Sequence, residues 1–181
     1  DFGSQYTQLI ARRVRESGVY CEIFPFDIES SALEAFHPAG IILSGGPESV
    51  THNSAPQIGK VVFELEVPVL GICYGMQAMA EQLGGFVVSS DKREFGHASI
   101  RLEGESIFLS ALGSAETDQD VWMSHGDKVT RLPANFRVIA SSDSAPIAAM
   151  ECEEKRLYGV QFHPEVTHTT NGEALIRRFS R

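Results

Sequence analysis

The sequence predicts an α/β fold: a mostly parallel central sheet flanked by helices, with additional antiparallel strands. Three observations carry this expectation. Short, nearly continuous apolar runs at residues 40–43 and 67–72 read as strands buried on both faces. They alternate with segments of helical period, the pattern of strand–helix–strand units. The second half instead holds several short β-rich runs punctuated by turn residues, as antiparallel strands do. At 181 residues, 43% hydrophobic and 22% charged, the chain is long enough for one sizeable domain with its own core.

The elements follow in order. Residues 7–17 form a helix, with Leu9, Ile10 and Val14 as its apolar stripe and Gly18 as its stop. Residues 19–24 read as a short strand closed by Pro25. Residues 40–43 are a buried strand running into Ser44-Gly45-Gly46-Pro47. Ser54 and Pro56 suit an N-cap and first turn for a helix over residues 56–65. Residues 67–72 give the next buried strand, and residues 74–83 a helix ended by Gly84-Gly85. Strands are then expected at 86–89, 97–102, 136–140, 147–150 and 157–162, with a polar hairpin tip at 153–155. A final helix covers residues 171–179.

Composition narrows the function classes. A net charge of −9 argues against nucleic acid as a partner, since phosphate-backbone binding needs clustered Lys and Arg. Arg177, Arg178 and Arg181 are better read as a solvated helix end. No apolar run approaches the roughly 20 residues needed to span a bilayer, and no signal-peptide pattern opens the chain. Three cysteines, Cys21, Cys73 and Cys152, make an odd and sparse set, unlike a secreted disulfide framework. The expected location is the reducing cytoplasm. The chain opens without an initiator Met, on a sharp turn at residues 1–4, as a piece of a longer protein would.

Gly71-Ile72-Cys73-Tyr74-Gly75 is the stretch with chemical content. A residue at the tip of a sharp strand–turn–helix connection is held in a strained backbone with its side chain exposed. Small neighbours at −2 and +2 let strand and helix approach. A helix starting at Tyr74 aims its free N–H groups and dipole at the sulfur, which favours thiolate, and the Tyr74 N–H can donate to an oxyanion beside it. By itself the pattern also fits a small buried hydrophobe, the role expected of Cys21 and Cys152.

A base decides between those readings. His163 and Glu165 flank Pro164 at i and i+2, so an extended chain places both on one side and lets the carboxylate orient the imidazole. That is Cys–His–acid logic. His125, in Trp122-Met-Ser-His-Gly-Asp127, is the rival base, in a stretch that reads as a functional loop. A zinc site of Cys73, His163 and His125 lacks paired ligand spacing. Ser44-Gly45-Gly46-Pro47-Glu48-Ser49 exposes backbone N–H groups suited to an oxyanion, with Gly46 as the donor. The same stretch superficially resembles a phosphate loop of ATP pyrophosphatases, with Glu48 and Pro47 as departures.

Taken together, Gly71-Ile-Cys-Tyr-Gly-Met-Gln77, Ser44-Gly-Gly-Pro47 and Phe162-His-Pro-Glu165 resemble the class I (triad) glutamine amidotransferase domain, with its flavodoxin-like layering. Asp1-Phe-Gly-Ser-Gln-Tyr-Thr-Gln8, Trp122-Met-Ser-His-Gly-Asp-Lys-Val129 and Gly159-Val-Gln-Phe-His-Pro-Glu165 are similar to one branch of it. In that branch the domain supplies ammonia to an ATP pyrophosphatase (synthetase) domain that aminates a purine nucleotide. The resemblance covers essentially the whole chain, so residues 1–181 are expected to be a single glutaminase domain.

The resemblance implies L-glutamine as substrate, Cys73 as nucleophile, His163 as general base and acid, and Glu165 as its orienting partner. It implies an oxyanion hole from the backbone of Gly46 and Tyr74. The side chain of Gln77 and the backbone at Gly126 and Asp127 would hold the α-amino and α-carboxylate end of glutamine. No cofactor or metal is expected in this domain. ATP and Mg2+ belong to the synthetase domain, absent from this chain and reached in cis or in trans. The family's first strand normally precedes Asp1. Two other readings stay open on sequence: a glutamine-binding regulatory module without turnover, and another cysteine hydrolase acting on γ-glutamyl substrates.

Overall fold

Among the described residues seven strands form one sheet, in the spatial order Ile41–Leu43, Val69–Ile72, Leu157–Val160, Ala149–Cys152, Arg137–Ser141, Phe86–Leu102 and Gln119–Arg131. The computed structural model describes residues 1–114 and 117–181, with the side chains of residues 91 and 92 outside the described set. In chain order the elements are α1 (Thr7–Glu16), α2 (Ser30–Phe36), β1 (Ile41–Leu43), α3 (Val61–Glu64), β2 (Val69–Ile72) and α4 (Tyr74–Gln82). There follow β3 (Phe86–Leu102), a 3-10 turn (Leu109–Ala111), β4 (Gln119–Arg131), β5 (Arg137–Ser141), β6 (Ala149–Cys152), β7 (Leu157–Val160) and α5 (Gly172–Phe179).

The parallel part is β1-β2-β7, in register Leu43↔Gly71 and Ile72↔Val160. The remaining pairs, β7-β6, β6-β5, β5-β3 and β3-β4, are antiparallel. Strand β2 is buried throughout and feeds two cores by its period of two. Val69 joins the cluster built with Leu33, Val61 and Met79. Leu70 and Ile72 join the one built with Ile10 and Leu175. Helices α2, α3 and α4 therefore cover one face of the sheet, and α1 and α5 the other, as an α/β layer fold requires.

Several expected elements differ. Residues 19–24 form no strand; they and β1 line a cavity of about 390 Å³. Their described backbone links beyond the segment run to α1 and the N-terminus: Val19 N–H to Val14 O at 3.4 Å, the Arg15 guanidinium to Cys21 O, and Asp1 N to Phe24 O at 2.7 Å. The helix expected at 56–65 shrinks to α3, since Gln82 takes both the N–H and the C=O of Ile58 in hydrogen bonds and Tyr74 donates to Pro56 O. Helix α2 buries only Leu33, so its sequence shows almost no apolar stripe. The separate strands expected at 86–89 and 97–102 are one strand, β3, with a register shift between Ser89 and Glu94.

The largest correction concerns Trp122–Asp127, expected as a loop and found inside β4. Its period-two burial was present in the sequence as Val121, Met123, His125, Asp127 and Val129. Two of those buried positions are polar, which hid the alternation from a hydrophobicity count.

The tight passage from β2 into α4 depends on missing side chains. A Cβ on Gly75 would lie 2.4 Å from Leu43 O, and one on Gly71 would lie 2.6 Å from Met76 N. Both obstacles are backbone, which cannot rotate away. Gly75→Ala is expected to destabilise the fold by about 2–3 kcal/mol through overpacking, lowering Tm by roughly 4–12 °C. Chemical denaturation measures it, and an unchanged midpoint would show that β1 and α4 can separate at no cost.

Candidate active site

The three parallel strands end on the same edge of the sheet, and each delivers part of one site there. Ser44-Gly45-Gly46 follows β1, Cys73 follows β2, and His163 comes three residues after β7. Cys73 N–H donates to Val160 O at 2.8 Å, which carries the β2–β7 pairing one residue further. Residues 73 and 163, ninety positions apart, are neighbours for that reason.

Cys73 sits at φ 52°, ψ −107°, a positive φ that non-glycine residues adopt only under constraint. The constraint is the strand before it and the helix after it, with Gly71 and Gly75 allowing their approach. The Sγ donates to Ser124 O at 3.4 Å and also lies within hydrogen-bond reach of His163. Tyr74, the first residue of α4, has no intrahelical acceptor for its N–H. Cys152 is buried in β6, and burial pushes the half-buried Cys21 thiol up.

His163 Nδ1 meets Glu165 Oε1 at 2.7 Å. The imidazole is 3% exposed and the carboxylate fully buried, so the charge of Glu165 has to be matched locally. Burial by itself pushes the imidazole down. Hydrogen bonds with Cys73 and Glu165 and the negative charge of Glu165 outweigh it and push His163 up to about 10. A protonated His163 at neutral pH is therefore flanked by the sulfur on one side and a carboxylate on the other. The Glu165 Oε2 atom has no partner among the described residues, which leaves His163 as the group that balances the charge.

With this geometry established, comparison with known proteins is direct. The whole chain, residues 1–181, matches the family described as glutamine amidotransferase class-I. The chain belongs to the class I glutamine amidotransferase family. The GMP synthase [glutamine-hydrolyzing] of Vibrio atlanticus is 60% identical over 99% of this chain, and the match covers 34% of that relative. The chain thus spans about a third of the length of the curated relatives it matches. A solved structure from Thermoplasma acidophilum, assigned as one subunit of a GMP synthase, is 33% identical, with a TM-score of 0.83 over 99% of this chain and 89% of that one. A glutamine amido transferase from Methylobacillus flagellatus, 20% identical with a TM-score of 0.69 over 87% and 64%, shares the fold.

The other residues expected in the amidotransferase site are distributed unevenly. Gly45 borders both Cys73 and His163: a Cβ there would lie 3.3 Å from His163 Cε1 and 3.6 Å from Cys73 Cβ. Gly46 backs onto Phe2, whose carbonyl oxygen would be 2.6 Å from an added Cβ. Gln77, four residues after Cys73 on α4, donates to Asp127 O at 2.9 Å. Asp127 is further held by Ser49, which donates to its carboxylate and so ties the Ser44–Ser49 stretch to β4. Gly126 packs against Arg93 of β3.

His125, the rival base, is engaged elsewhere. Its Nδ1 donates to Asp127 O at 2.9 Å and its Nε2 faces Glu94 Oε2 at 3.1 Å. Both ring nitrogens are occupied away from the sulfur.

Sequence reasoning did not reach several supporting residues in this amidotransferase. Thr169 Oγ1 donates to His163 O at 2.6 Å and accepts from Trp122 N–H at 3.0 Å, while His163 N–H donates to Trp122 O at 2.9 Å. This ring of bonds curls the last strand of the sheet, β4, back onto the segment that carries His163. Tyr6 stands edge-on to the imidazole, ring centroids 5.4 Å apart. Only the period-two burial of β4 could have hinted at this pairing.

Proposed function

We propose that this chain hydrolyses L-glutamine to glutamate and ammonia, and that the ammonia serves a GMP synthetase. The observation that carries the reading is the buried Cys73–His163–Glu165 array at the carboxyl ends of the parallel strands. The Cys73 thiolate adds to the side-chain carboxamide carbon of glutamine. The resulting oxyanion rests on backbone N–H groups at Gly46 and Tyr74, with Gly45 bordering the same space. Collapse breaks the C–N bond, and the His163 imidazolium gives its proton to the departing nitrogen, which leaves as ammonia.

The γ-glutamyl thioester that remains is hydrolysed by water, whose proton His163 takes. Glu165 holds the imidazole in orientation and stabilises its charged form. Gln77 and the backbone at Gly126 and Asp127 hold the α-amino and α-carboxylate end of the substrate. This chemistry uses only side chains and backbone of the chain. In the whole assembly an ATP pyrophosphatase domain, in cis or in trans, uses ATP and Mg2+ to activate xanthosine monophosphate, and the ammonia made here completes GMP. The share of the relatives' length covered by this chain supports such a partner. Among the described residues no helix is long and apolar enough to cross a membrane, and the reading places the enzyme in the cytoplasm.

Trapping the intermediate tests the reading. Acid quench of the enzyme during turnover should leave one glutamyl group on Cys73, located by peptide mass spectrometry. Hydroxylamine should divert product to γ-glutamyl hydroxamate. Release of ammonia with no Cys73 adduct, or an adduct on Cys21 or Cys152, would refute the assignment.

A further inference from the structure

Gln161 is fully buried between Val160 and Phe162, just past β7. Its backbone N–H donates to Ala148 O at 2.8 Å, so its position is fixed by the sheet. Its side-chain Oε1 accepts from Gln77 Nε2 at 3.1 Å, while its own Nε2 is sealed and has no partner among the described residues. A buried amide donor without an acceptor costs about 1–3 kcal/mol, and an apolar residue of the same length would avoid that cost. The single bond to Gln77 is what the amide achieves there.

The orientation of both amides follows from one group that has no choice. The Asp127 carbonyl can only accept, so the atom of Gln77 that faces it must be the NH2. The second hydrogen of that NH2 points at Gln161, which must then present its oxygen. Gln77 has thereby spent both donors. Its carbonyl oxygen has no partner among the described residues, yet is not among the atoms sealed from solvent.

We infer that Gln161 is a positioning residue that locks the Gln77 amide with only its carbonyl oxygen free, one helical turn from Cys73, to receive an N–H donor of the substrate. The inference rests on the reading of Gln77 as a glutamine contact. A free acceptor at that place suits the α-ammonium of an amino acid and offers nothing to a carboxylate. Selection of the amino-acid end of the substrate therefore reaches back to a residue that touches neither substrate nor sulfur.

The test uses steady-state glutamine hydrolysis by the chain assayed with its synthetase partner. Gln161→Met removes the lock, exchanging the unpaired Nε2 of Gln161 for one unpaired N–H on Gln77. It should raise KM for glutamine about 10-fold, the scale of one charge-assisted hydrogen bond, with kcat within about threefold. Inhibition by 4-carbamoylbutanoate, which is glutamine without its α-amino group, should be unchanged. Gln161→Glu, which keeps an acceptor toward Gln77, should restore KM to within about threefold. On a Gln77→Met background, Gln161→Met should add nothing, because the lock then has no object.

An effect of Gln161→Met on kcat alone, or one that persists on the Gln77→Met background, overturns the inference. So does a raised KM for Gln77→Met with none for Gln161→Met. If Gln77→Met leaves KM unchanged, the reading of Gln77 itself has failed, a result distinct from the other two. Should Gln161→Glu fold poorly, the double-mutant comparison decides without it.

Discussion

Cys73→Ala is expected to remove glutamine-dependent turnover, lowering kcat by about 10^4-fold or more, because the proposed thioester forms on the Cys73 sulfur. The substituted methyl still fits the elbow, since Ala lacks only the sulfur, and the bonds lost are those of the sulfur to Ser124 O at 3.4 Å and to His163. The fold should persist, with part of the stability that His163 contributes lost, because Cys73 helps to hold the imidazole up. Assayed with the synthetase partner, the variant should retain amination driven by added ammonium salt. That pairing of results separates loss of the nucleophile from loss of the fold. Glutamine-dependent ammonia release surviving in Cys73→Ala would refute the nucleophile.

Glu165→Gln removes a charge while keeping an oxygen that can accept from His163 Nδ1. Burial then pushes the imidazole down with less to oppose it, because part of what held His163 up to about 10 came from Glu165. The alkaline limb of kcat/KM, expected near pH 10 in the native enzyme, should move to lower pH. The rate at neutral pH should fall by about 10^2- to 10^4-fold, as imidazolium becomes scarce and less well oriented. A pH–rate profile reads both effects, and an unmoved limb would mean that the Glu165 charge does not govern His163.

The same group makes stability depend on pH. His163 binds its proton up to about pH 10 in the folded protein but only up to about 6.5 in an unfolded chain. Its contribution is complete below about pH 6.5 and is lost as pH rises through 10. Denaturant midpoints should fall across that window in the native protein and fall less in Glu165→Gln.

Residues that act through local geometry were legible early. Gly71 and Gly75 announced a close approach of strand and helix, and that approach is what strains Cys73. His163 and Glu165 were legible as a pair because two residues in extended chain face one way, whatever surrounds them. The parallel strands β1 and β2 were legible because burial on both faces leaves an unbroken apolar run. Residues 19–24 and 56–58 were misread because their backbone partners, or the lack of them, come from remote segments. No local propensity encodes the grip of Gln82 on Ile58 or the cavity beside β1.

From the sequence alone the α/β layering and the candidate residues Cys73, His163 and Glu165 were legible: the layering from apolar runs, the Cys73 turn and the His163–Glu165 pair from short spacings, and their proposed roles from the family resemblance. Only the tertiary structure brought β4 round to His163, set Gly45 against the Cys–His pair, engaged the His125 ring with Asp127 O and Glu94, and tied Gln161 to Gln77. The physical reason is the range of the interactions. Strain, alternation and burial are properties of short windows. A hydrogen bond between residues 77 and 161, or between 122 and 163, depends on how a twisted sheet closes.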